Sequence, residues 1–133
     1  MNCFARRLAV ATCLVAFASG AANAQNTKTY IRTAAAGRVV MLGHYASVNP
    51  DCTSRGKTVV RVVSAPAHGS LNFETGPGFT SFSREPQCNA RTVEGVTALY
   101  RSERGYVGAD AVGFDIIYPS GREKFKTYNI VIK

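Results

Sequence analysis

Val112-Gly113-Phe114-Asp115-Ile116-Ile117-Tyr118 is the stretch on which the fold turns. Val112, Phe114, Ile116 and Tyr118 share one face, and Gly113, Asp115 and Ile117 share the other. That two-residue period marks a half-buried strand with its core side identified. Pro119-Ser120-Gly121-Arg122 follows as a turn, with proline fixing φ and glycine free to take a positive φ. Beyond it, Tyr128, Ile130 and Ile132 alternate with Thr127, Asn129 and Val131, so the two runs are expected to pair as a hairpin.

Working outward, the chain repeats this texture. Runs of valine, isoleucine, threonine, tyrosine and phenylalanine are separated by glycine, proline, asparagine and serine, and nothing after residue 25 starts a convincing amphipathic helix. The pattern predicts strands over 28–33, 38–43, 57–64, 70–73, 95–101, 112–118 and 124–132, with a further short strand over 79–83. Residues 74–94 hold Gly76, Pro77, Gly78, Pro86 and Cys88 and read as mostly loop. About seven short strands with regular turn signals imply an all-β, antiparallel two-sheet sandwich.

Residues 1–24 read differently. Arg6 and Arg7 precede an apolar run from Leu8 to Ala18, and Ala22-Asn23-Ala24 offers an A-x-A cleavage site. The expectation is a secretory signal, with a single domain over 25–133 acting outside the cytoplasm, periplasmic or secreted. The apolar run is shorter than the roughly 20 residues a spanning helix needs, so no membrane span is expected. Cys13 is a weak alternative as a lipid-anchor site, placed too early and followed by more apolar sequence.

Loss of the signal would remove Cys3 and Cys13, leaving Cys52 and Cys88. A lone pair in an oxidising compartment most simply forms a disulfide. The chain-entropy model gives such a loop roughly 3–4 kcal/mol of stabilisation. The formal charge of +8 falls to +6 (8 − 2) without Arg6 and Arg7. An exported basic protein meets acidic polysaccharides, anionic lipid surfaces or acidic proteins before it meets nucleic acid.

Two segments have a familiar spacing: Ser64-Ala65-Pro66-Ala67-His68-Gly69-Ser70-Leu71, and Tyr100-Arg101-Ser102-Glu103-Arg104-Gly105-Tyr106-Val107-Gly108-Ala109-Asp110. Together they resemble the cadherin-like and immunoglobulin-like modules of bacterial exported proteins, over about residues 59–132. Ser102 and Val112 depart from the pattern, which has proline and phenylalanine there. The resemblance implies a β-sandwich built for binding or adhesion. Each motif residue also has a structural duty. Gly105 and Gly108 are expected to allow a tight corner where a side chain would clash. Tyr106 is expected to lay its ring on the sandwich edge and reach a backbone group with its hydroxyl. Asp110 is expected to accept from backbone N–H groups and lock the corner.

Catalytic groups are few. His44 and His68 are the only histidines, no G-x-S-x-G elbow occurs, and no cysteine is expected to remain free beside a histidine. The reading is therefore non-enzymatic, with no cofactor. Zinc on Cys52, Cys88, His44 and His68 competes poorly with a disulfide. Calcium on Glu103, Asp110 and Asp115 lacks the alternating acidic run of calcium loops. Arg101, Arg104, Arg122, Lys124 and Lys126, near Tyr100, Tyr106 and Tyr118, form a candidate anion-binding patch. The same charges also suit solvated sheet edges that discourage aggregation. The expected function is recognition of an anionic envelope component or another protein; the alternatives are inhibition of an exported hydrolase and a structural or adhesive subunit.

Overall fold

The computed structural model describes residues 26–133; the signal segment read over 1–24 lies outside the described residues. Seven strands form: β1 (Thr27–Ala34), β2 (Val39–Tyr45), β3 (Val59–Ser64), β4 (Gly69–Gly78), β5 (Val93–Ser102), β6 (Gly108–Ile117) and β7 (Glu123–Ile132). One sheet has the order β1-β7-β6-β3 and the other β2-β5-β4. Over the described residues the fold is an all-β pair of sheets, with one 3-10 turn at Pro86–Cys88.

The inward faces are those the alternation indicates. Val112, Phe114, Ile116, Tyr128, Ile130 and Ile132 from one sheet meet Leu42, Tyr45, Ala98 and Tyr100 from the other. Phe114 centres this layer, with ring centroids 6.4 Å from Tyr45, 5.6 Å from Phe73 and 5.8 Å from Tyr128. Each large apolar side chain buried here stabilises the fold by about 1.5–3 kcal/mol. The hairpin of β6 and β7 pairs antiparallel from Gly108↔Ile132 to Ile117↔Glu123.

Four local expectations change. β1 runs parallel to β7, from Thr27↔Phe125 to Ala34↔Ile132, so the four-stranded sheet is mixed. Parallel neighbours need a long connection, and here the rest of the domain supplies it. Residues 74–78 continue β4 instead of starting a loop. β4 is the outer strand of its sheet, where a proline such as Pro77 leaves no ladder partner without a donor. Residues 79–83 form no strand. β2 does not stop at Gly43 but runs on to Tyr45. A Cβ at Gly43 would lie 2.7 Å from the Tyr45 hydroxyl oxygen and 2.9 Å from that of Tyr128, so glycine makes room for a tyrosine pair.

Asp115 also departs from its expected solvent side. It is 1% exposed, because Arg61 on the neighbouring strand lies across it and donates through Nε and Nη2 to Oδ2. Cys52 and Cys88 are bonded, with Cα atoms 5.5 Å apart. The bond ties the 3-10 turn to the turn at Asn49–Cys52, where the Cys52 N–H donates to the Asn49 carbonyl at 2.8 Å. A small second core of Ala46, Val48, Cys88 and Val93 forms around it.

Candidate anion-binding cleft

The two motif segments meet at one end of the sandwich, and Asp110 joins them. Its Oδ1 accepts from the N–H groups of Ala67 and Ala111, both at 2.9 Å. Its Oδ2 accepts from the His68 N–H at 3.0 Å and the Tyr100 hydroxyl at 2.7 Å. Burial works against the charged carboxylate, but these four donors outweigh it and hold Asp110 below the usual carboxylate range. Tyr106 donates to the Ala109 carbonyl at 2.7 Å and stacks on the His68 ring at 3.9 Å. Gly108 faces the Tyr106 hydroxyl, 2.9 Å from where a Cβ would stand. Gly105 has open space beside it, so its positive φ of 75° is what requires glycine there. This corner is saturated with internal bonds and has little left for a ligand.

The five basic residues of the candidate patch do not stay together. Arg101 lies on β5 opposite Ser70, and Arg104 packs beside Gly37, both at the motif end. Arg122, Lys124 and Lys126 lie at the other end of β7, roughly 20 Å away at a strand rise of about 3.3 Å per residue.

That second end opens as a cleft of about 480 Å³ between the sheets, within the range of about 300–1,000 Å³ usual for ligand sites. Arg55, Arg84, Arg122, Lys124 and Lys126 line it, and Glu85 is the one acidic residue in its wall. Among the described residues none of these five cations makes an ion pair; the carboxylates in ion pairs are Asp115 and Glu123, with Arg61, and Glu103, beside His68. Aromatic faces take the place of acids. The Arg122 guanidinium lies 5.8 Å and the Lys124 ammonium 5.7 Å from the Tyr118 ring. Lys126 Nζ lies 5.2 Å from the Tyr30 ring and 5.0 Å from the Tyr45 ring.

Crowding of like charge shows in the lysines. Burial, with Lys124, Lys28 and Arg32 nearby, lowers Lys126 from its ordinary 10.5 to about 8. Burial, with Arg122, Lys28 and Arg84 nearby, also lowers Lys124. An anion placed in the cleft would relieve that repulsion.

Both walls are tethered. β1 and β7 pair Lys28 with Lys126 and Tyr30 with Tyr128, the tyrosine rings stacking at 5.3 Å. The opposite wall, including Phe82, Arg84 and Glu85, precedes Cys88 and is pinned by the disulfide, by Gln87 Nε2 donating to the Pro50 carbonyl at 2.8 Å, and by the Thr80 hydroxyl donating to the His44 carbonyl at 2.7 Å.

His44 is buried on the outer side of its sheet, with Nε2 2.9 Å from the Val93 carbonyl, to which it donates, and Nδ1 2.8 Å from the Thr97 hydroxyl. His68 sits at the motif corner. Among the described residues no three histidines, cysteines or acidic groups converge as a metal site. No described helix is long and apolar enough to cross a membrane.

Lys28, Arg32, Arg55 and Arg84 escaped the sequence reading. One signal was present: Lys28 and Arg32 share the parity of Tyr30, whose ring stacks on Tyr128. Arg55 and Arg84 stand in loops and offer no comparable signal.

No family model matches the chain, and no curated protein matches it in sequence. The solution structure of Amebosin aligns with 80% of this chain and 96% of its own length, at 14% identity and a TM-score of 0.43. A likeness at that level carries no argument about fold or activity.

Proposed function

We propose that this protein is an exported, non-enzymatic β-sandwich module of the immunoglobulin- or cadherin-like kind that binds an acidic component of the cell envelope in the inter-sheet cleft. The observation that supports this reading is the set of five unpaired cations around one cleft, with tyrosine faces beside them and one carboxylate. Lys126 is half-buried and the other four are exposed, so what they share is mutual repulsion around one cleft, which an anion bound there would relieve. Their spacing on two walls suits sulfate, phosphate or carboxylate groups carried on a saccharide, whose ring could lie on Tyr118. The disulfide and the signal-like first 24 residues are consistent with export.

Calorimetric titration of the purified protein with polygalacturonate, at several salt concentrations, tests the reading. Binding should weaken steeply with salt. Arg122→Glu with Lys124→Glu should remove it, and Arg101→Glu with Arg104→Glu at the far end should not. Equal losses from both pairs, or no binding at low salt, would sink the cleft as the site. Export has its own test: expression of the whole chain in a secreting bacterial host should yield a mature N-terminus at Gln25.

A further inference from the structure

Lys126 differs from the other cleft cations in where its amine sits. The side chain projects from the inner face of β7, is half-buried, and holds Nζ between the Tyr30 and Tyr45 rings. Among the described residues it has no carboxylate or hydrogen-bond partner; its contacts are the two tyrosine faces. Lys124 and Arg122, on the same wall, remain available to hold an acid group close by.

We propose that Lys126 captures anionic carbonyl compounds covalently, as an imine, with Arg122 and Lys124 holding the ligand's acid group. The class is 2-oxo acids and reducing-end acidic sugars, in which a carbonyl stands a few bonds from a carboxylate. This rests on the anion-binding reading of the cleft and adds a chemical step to it. In that step the Nζ lone pair attacks the carbonyl carbon and forms a C–N bond. The two amine hydrogens then leave with the carbonyl oxygen as water, giving C=N. No oxidant or reductant takes part, and hydrolysis reverses the reaction.

The environment favours this lysine over others. Burial and the neighbouring cations lower its pKa to about 8. Near neutral pH its free-amine fraction is then more than about a hundredfold that of an ordinary lysine. A less basic amine is a weaker nucleophile, which trims the advantage without cancelling it.

The test uses the purified protein with glyoxylate and cyanoborohydride, which reduces an imine to a stable amine, followed by peptide mass mapping. Lys126 should be modified at least about tenfold faster than the exposed Lys57 and Lys133 in the same chain. Sulfate should slow it, and propanal, which is uncharged, should show a smaller preference for Lys126 that sulfate leaves unchanged. Lys126→Arg should lose the adduct. If Lys126 reacts no faster than Lys57 and Lys133 while polygalacturonate still binds, the imine is overturned and the anion-binding reading stands. Loss of both overturns both. Equal preference for propanal, unaffected by sulfate, overturns the role given to Arg122 and Lys124.

Discussion

Tyr100 donates its hydroxyl to Asp110 Oδ2 at 2.7 Å, and that bond crosses from one sheet to the other. Because the same carboxylate also holds the Ala67 and His68 N–H groups, one side chain secures β5, β6 and the turn before β4. Asp110→Asn keeps the shape but presents a donor where donors already converge. It should destabilise the domain by about 2–3 kcal/mol in urea unfolding at pH 7. Since the folded pKa is lowered, the carboxylate's contribution is full above the ordinary carboxylate value and fades as pH falls through the lower folded value. The wild type should therefore lose stability in acid more steeply than the Asn variant.

A second bridge between the sheets is the hydroxyl pair of Tyr45 and Tyr128, 2.6 Å apart and buried. Tyr45→Phe leaves the Tyr128 hydroxyl without this partner and should cost about 1–2 kcal/mol. The double variant with Tyr128→Phe should cost less than the two single changes added together. Gly43→Ala pushes a methyl group into the same pair and should cost about 1–3 kcal/mol by overpacking. A melting temperature unchanged in Gly43→Ala would contradict the close approach.

The disulfide should matter for ligand as well as for stability. Cys52→Ser with Cys88→Ser should lose about 3–4 kcal/mol. It should also weaken anion binding, because the wall carrying Arg84 is pinned through Cys88. Native-state hydrogen exchange should quicken around residues 80–92 before the sheets respond.

Lys126 sets the alkaline behaviour. Its folded pKa of about 8 lies below its ordinary 10.5, so the unfolded chain binds more protons between those values. Stability should therefore rise as pH climbs through that window, and Lys126→Met should flatten the rise. Anion affinity should move the opposite way, falling above about pH 8 as the ammonium deprotonates. Melting curves and titrations from pH 7 to 10 read both slopes.

Much of this was written in local sequence. Strand-period alternation placed Val112, Phe114 and Ile116 against Tyr128, Ile130 and Ile132, because a buried face needs a repeat of two and no tertiary context to be seen. Tyr106 reaches the carbonyl of Ala109, a chain neighbour, whereas Asp110 holds its corner through the N–H groups of Ala67 and His68, far away in sequence and brought close only by the fold. Pro77 and Gly43 misled, since each reads as an ending when only its own segment is considered. One is admitted by an outer strand, and the other leaves room for rings supplied by β2 and β7.

Residues far apart in the chain could meet only through the folded sheets. The burial of Asp115 under Arg61, the parallel docking of β1 on β7, and the division of the basic residues between two ends all depend on strand order. Alternation along a strand states which way a side chain points but not which strand lies beside it. Sequence alone thus determined strand identity and core face, through periods and turns that act over a few residues, and offered the cysteine pair by counting. Tertiary structure decided where the cations gather, because charge clustering depends on distances in space.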